Sequence, residues 1–69
     1  MKKVSNTKKV TFTPVFNWEV EKVGEIKYDP FRPANQYTAL NNEGYRIRDC
    51  ATYWEARDLV IAESKKDNG

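Results

Sequence analysis

The sequence predicts an α+β domain: a small antiparallel sheet of three to four strands with one C-terminal helix packed on one face, in the order β-β-(β)-β-α. Three observations lead there. Apolar and polar residues alternate through much of 10–28, two short strand-like runs flank the segment 41–44, and Thr52 opens a capped helical pattern. With 69 residues the chain holds one domain. A domain of that size buries only about 60% of its unfolded surface, which leaves little for a deep cleft. The expected organisation is a flexible basic arm at 1–8, a single domain over 9–66 and a frayed end at 67–69.

Val10, Phe12, Phe16, Trp18 and Val20 fall on alternate positions, with Thr11, Thr13, Asn17, Glu19 and Glu21 between them. Period two marks a strand with one buried face, here the aromatic one. Pro14 cannot donate to a ladder, so it places this strand at an edge, a bulge or a break. Gly24 is the residue best able to take positive φ, which puts a turn or bulge at 21–25. Ile26 and Tyr28 then resume the alternation. Strands are expected near 9–16 and 17–28, the second bent or split around Gly24. One long bulged strand and a 17–22/25–29 hairpin both fit.

Pro30 and Pro33 make 29–36 a loop, with Phe31 expected to fold back and pin it to the core. A second hairpin follows, with a four-residue loop at 41–44 ending on Gly44. It pairs Leu40 with Tyr45 and Thr38 with Ile47. These four are the more apolar set and should meet the helix, leaving Tyr37, Ala39, Arg46 and Arg48 on the open face. Thr52 and Glu55 have capping-box spacing, which starts a helix at about 53–66. Glu55 and Asp58 near its start, with Lys65 and Lys66 near its end, suit the helix dipole. Its apolar stripe is Tyr53, Ala56, Leu59 and Val60, flanked by Trp54 and Ile61.

Strands followed by a helix opening on Thr52, Glu55 and Ala56 resemble in outline the arm-binding domains of phage integrases and the plant ethylene-response DNA-binding domains. That resemblance implies a sheet packed on a C-terminal helix. It transfers no functional residue, because function lives in sites and not in folds.

The chemistry-bearing residues are sparse. Histidine is absent, which removes the usual general base and the commonest metal ligand. Cys50 is the single cysteine, so it has no partner for a disulfide or a zinc site, and it reads as a small packing residue. Glu19 with Glu21, and Glu55 with Asp58, are acid pairs that solvation and capping explain. The glycines stand alone at 24, 44 and 69 and form no phosphate loop. No enzyme activity, cofactor or metal is expected. A lone cysteine fits a cytoplasmic setting, and no apolar run approaches the roughly 18–20 residues needed to cross a bilayer, so no membrane role is expected.

What remains is surface. The formal net charge is +2, and Lys2, Lys3, Lys8 and Lys9 stand in a stretch without acids. The rest of the chain is therefore slightly acidic, and the four lysines are the candidates for phosphate or acidic-surface contacts. The candidate partner-binding set is Tyr37, Arg46 and Arg48 on the open sheet face, extended by Arg32 and Trp54. Arginine and aromatic residues are enriched at interface hot spots. The preferred expectation is a small non-catalytic protein that docks on a larger protein or nucleoprotein complex and inhibits or modulates it. Phages and mobile elements encode proteins of this type against host machinery, including anti-defence inhibitors. One alternative is a nucleic-acid-binding module using the sheet face and the basic arm. Another is a small structural subunit of a larger complex, or a homodimer, joined through strand edges.

Overall fold

The computed structural model describes residues 9–66. The basic arm at 1–8, with Lys2, Lys3 and Lys8, and the frayed end at 67–69 lie outside the described residues. Strands β1 (Thr11–Phe16), β2 (Lys22–Tyr28), β3 (Tyr37–Asn41) and β4 (Arg46–Cys50) form one antiparallel sheet in the order β1-β2-β3-β4. Helix α1 (Tyr53–Lys66) follows and packs against it. The predicted fold class is the observed one.

The first turn is not where Gly24 pointed. The chain reverses at 17–21, ahead of Gly24, and Val20 there has φ 64°. Gly24 lies inside β2, paired with Val15 on one side and Asn41 on the other. A Cβ on Gly24 would collide with the Leu40 carbonyl oxygen and with Val60 Cγ1 of the helix. The glycine is needed for close approach and not for a turn. Pro14 does mark an edge: β1 is an outer strand, with a register shift between Val15 and Phe16. Proline has no N–H to give β2, so its missing donor belongs on the solvent side of that edge.

Register decides which face the helix covers. Tyr28, Tyr37 and Cys50 form one row, Ile26, Ala39 and Arg48 the next, and Val15, Gly24 and Asn41 a third. Residues directly opposite in an antiparallel ladder share a face. Val15, Ile26, Ala39 and Cys50 from these rows join Ala56 and Val60 of α1 in the buried core. The other face carries Phe12, Lys27, Thr38 and Asp49 in one row and Pro14, Glu25, Leu40 and Arg46 in the next. The face expected to be open at Tyr37 and Ala39 is therefore the covered one. Size selected it rather than apolarity. Gly24, Ala39, Cys50 and Ala56 are small, and they let the helix sit close to the sheet at interior packing density.

The expected aromatic core gives way for the same reason. The buried apolar residues are Val15, Ile26, Ala39, Leu40, Cys50, Ala56 and Val60, and none is aromatic. Val10, Phe12, Phe16, Trp18 and Val20, expected on a buried face, are all exposed.

The second hairpin is tighter than predicted. Asn41 and Tyr45 close a three-residue loop in which Gly44 takes φ 91°. A three-residue loop with a left-handed last residue is a common hairpin connection. Leu40 then pairs with Arg46 and Ala39 with Arg48, with a bulge between them. The extra residue, Ile47, packs against the core. The helix begins as read from the sequence. Thr52 Oγ1 accepts from the Glu55 amide at 3.2 Å, and Glu55 Oε1 accepts from the Ala51 amide at 3.3 Å, one residue before the expected Thr52 amide. The predicted stripe holds: Ala56 and Val60 are buried, and Tyr53, Leu59 and Ile61 pack half-buried around them.

Candidate docking surfaces

The open sheet face holds a polar cluster. Asp49 Oδ1 accepts from Thr38 Oγ1 at 2.7 Å, and its Oδ2 accepts from both Arg32 and Arg46 at 3.2 Å. The loop 29–36 delivers Arg32. Its ends are joined by the Asp29 amide donating to the Gln36 carbonyl at 2.9 Å, and Gln36 Nε2 donates back to the Arg32 carbonyl at 2.8 Å. Pro30 is buried there while Phe31 is 66% exposed, so this polar bracing fixes the loop and the expected Phe31 anchor does not. Asn35 takes φ 52°, a conformation asparagine tolerates. The Thr38 hydrogen bond, and then the Arg32 guanidinium, hold the Asp49 carboxyl below its ordinary range.

The predicted binding set is divided. Arg32 and Arg46 meet on Asp49. Tyr37 lies on the helix side, where its ring stacks on Tyr28 at 5.0 Å and meets the edge of Tyr53 at 6.5 Å. Tyr53 in turn contacts the exposed Trp54 ring at 5.1 Å. Arg48 is exposed beside Ala39 on the helix side, at the outer strand. The expected single patch of Tyr37, Arg46 and Arg48 is thus split between the two faces, because the bulge at Ile47 changes the face that β4 presents. Lys9 is exposed.

Two other sequence candidates resolve. Burial pushes the Cys50 thiol up, the Glu55 carboxylate adds to this, and Arg48 opposes it. A thiol kept protonated in the core is a packing residue and a poor nucleophile. Glu19 and Glu21 do not share a strand face. Both lie in the first turn, and both donate their amides to Asn17 Oδ1, at 2.9 and 3.0 Å.

That turn is the surface the sequence reading missed. Trp18 is 86% exposed and Val20 78% exposed, and Phe16 just before them is 47% exposed. The signal was present: Asn17-Trp18-Glu19-Val20 repeats the Asn-x-Glu pattern of Asn41-Asn42-Glu43-Gly44. In both turns the Asn Oδ1 accepts two backbone amides, from the residues two and four further on. Elsewhere, a shallow cleft between α1 and the ends of β2 and β3 is lined by Lys22, Asn41, Asn42, Glu43 and Glu63, with no aromatic ring. Among the described residues no set of three His, Cys, Asp or Glu side chains gathers as metal ligands, and no helix is long and apolar enough to cross a membrane. No family model, curated protein or solved structure matches the chain.

Proposed function

We propose that this chain is a small non-catalytic protein that docks on a larger protein or nucleoprotein partner in the cytoplasm and inhibits or adjusts it, the type of protein that phages and mobile elements direct at host machinery. One observation carries the reading. The core is built from small and aliphatic residues, while Phe12, Phe16, Trp18, Phe31, Tyr45 and Trp54 are 47–86% exposed. Isolated exposed apolar residues are ordinary, but six such rings on a domain of this size mark surface kept for contact. Pairing through strand edges is the weaker reading. Pro14 blunts the β1 edge, and the bulge with Arg46 and Arg48 blunts the β4 edge.

The test is a tagged pull-down from nuclease-treated candidate host lysate, read by mass spectrometry. One protein complex recovered near stoichiometry supports docking. The nucleic-acid reading draws on Arg32 and Arg46 converging on the open face, where Lys27 and the exposed Phe12 share the Asp49 row. It requires recovery of nucleic acid from untreated lysate. It also requires a steep salt dependence, a log–log slope of roughly −4 to −5 for five or so phosphate contacts.

A further inference from the structure

We infer that the 17–21 turn is the anchor of the interface, inserting Trp18 and Val20 into an apolar pocket of a protein partner whose rim is basic. This rests on the docking reading above and narrows it to one site and one partner chemistry.

Three independent observations converge on the turn. The first is exposure. Trp18 and Val20 are the most exposed large apolar residues among those described, at 86% and 78%. Tryptophan is also the residue most enriched among interface hot spots. The second is backbone strain. Val20 sits at φ 64°, the place that Gly44 occupies in the other hairpin turn. A β-branched residue there is an outlier; the Asn17 hydrogen bonds hold the backbone in this shape, but they would hold a glycine at lower cost, so the valine side chain itself needs a reason. Nothing within the fold makes that demand, since the valine side chain points to water. A partner pocket that receives it does.

The third observation is charge. Glu19 and Glu21 alternate with Trp18 and Val20, both are exposed, and neither is in an ion pair among the described residues. Carboxylates in these places repel a phosphate backbone or an anionic bilayer and suit a cationic rim. The turn is also preorganised. The Asn17 amide donates to the Glu21 carbonyl and the Val20 amide to the Asn17 carbonyl, both at 2.9 Å, in addition to the two amides held by Asn17 Oδ1. A loop fixed before binding loses little further entropy on binding.

The test titrates the full chain in five forms: wild type, Trp18→Ala, Val20→Gly, Asn42→Ala and the double variant Glu19→Lys with Glu21→Lys. Thermal melts establish that each is folded. The protein captured by wild type from nuclease-treated lysate is purified and titrated against all five. The expected result is an affinity loss of about thirty-fold or more for Trp18→Ala, as for a hot-spot residue. Val20→Gly should lose about five-fold or more even though its melt rises, and Asn42→Ala, at the place in the 41–45 turn that Trp18 holds in this one, should stay near wild type. Glu19→Lys with Glu21→Lys should slow association and remove its salt dependence. The Val20→Gly arm is decisive, because a purely structural valine would leave binding intact once the strain is relieved. If the captured protein binds Trp18→Ala as tightly as wild type, docking stands and this anchor falls. If wild type captures no protein, both fall. A blue shift of Trp18 fluorescence in the Trp54→Phe variant on adding phosphatidylcholine vesicles assigns the turn to lipid and overturns it. Sedimentation showing a dimer that Trp18→Ala dissolves assigns it to a second copy and also overturns it.

Discussion

The molecule contains the same turn twice. In each, an asparagine side chain accepts two amides, its amide donates to the carbonyl four residues on, and its carbonyl accepts from the amide three residues on. The 41–45 turn has glycine at the left-handed position, at φ 91°. The 17–21 turn has valine there, at φ 64°. The first obeys local preference. The second breaks it with a residue that disfavours the left-handed region by roughly 1–2 kcal/mol. The difference teaches that the hydrogen-bond frame set by the asparagine can impose the turn even on a valine. It also frees Gly24, the apparent turn glycine, for another task.

That task predicts the largest effect. Gly24→Ala places a methyl group against the Leu40 carbonyl and Val60. The Leu40 carbonyl is main chain of β3 and cannot yield as a flexible side chain can, so β2 must shift against β3 as well as the helix lift at Val60. A loss of about 3 kcal/mol is expected, at the upper end of overpacking costs, read as a lower denaturant midpoint. If Gly24 were a turn residue after all, alanine would be tolerated and the assignment of the two turns would fail.

The asparagines come next. Asn41→Ala removes two accepted hydrogen bonds and should cost about 1–2 kcal/mol. Asn17→Ala removes the same two but lets Val20 relax out of the left-handed region, so its net loss should be smaller by about 1 kcal/mol. Its effect should instead be structural: the Val20 HN–Hα coupling and the amide exchange at 18–21 should change, while 42–45 stays as it is in wild type. Equal losses for the two variants would mean that Val20 carries no strain.

Much of the fold was legible in the sequence, and the errors share a cause. The helix at 53–66, its cap on Thr52 and its stripe around Ala56 and Val60 rest on local chemistry, and local chemistry can be read. The second hairpin was legible through Gly44. The first turn was not, because period-two alternation ran through Trp18 and Val20 while the glycine stood four residues further on. The covered face was misread because Tyr37, Ala39, Arg46 and Arg48 looked less apolar than Thr38, Leu40, Tyr45 and Ile47. Packing against the helix depended on side-chain size and on a bulge that flips β4, and neither appears in an apolarity pattern. Of the candidate binding residues, the sequence grouped Arg32 with Arg46, and the structure joins them through Asp49. It attached Tyr37 to the wrong face and passed over Trp18, since an apolar residue in an alternating run reads as core.

Exchanging the left-handed residues sharpens the comparison. Gly44→Val should destabilise by about 1–2 kcal/mol from backbone strain alone, because the space around Gly44 is open. Val20→Gly should stabilise by somewhat less, about 1 kcal/mol, since glycine also gains freedom in the unfolded chain. Opposite signs in thermal melts at matched concentration are the expected outcome. Matching signs would show that the two turns are not equivalent frames.

The smallest expected effect separates the turns by pH. The 17–21 turn is held by a neutral amide, whereas β4, just beyond the 41–45 turn, is tied through Arg46 and Thr38 to the Asp49 carboxylate. Because Asp49 is held below its ordinary range in the folded state, its contribution is fully present above the unfolded value near pH 4. It is lost as pH falls through the lower folded value. The protonated acid gives up its attraction for both arginines, yet can still share a hydrogen with Thr38. The change should therefore stay within about 1 kcal/mol, as for pairs that are half in water. Asp49→Asn should be less stable than wild type at pH 7 and converge on it in acid. Across the same range the amide shifts of Arg46 and Thr38 should differ between wild type and Asp49→Asn, and those of Val20 and Glu21, beside their own carboxylates, should change alike in the two. A 17–21 turn whose acid response changed with Asp49→Asn would mean that the two turns are coupled through the sheet rather than held independently by their asparagines.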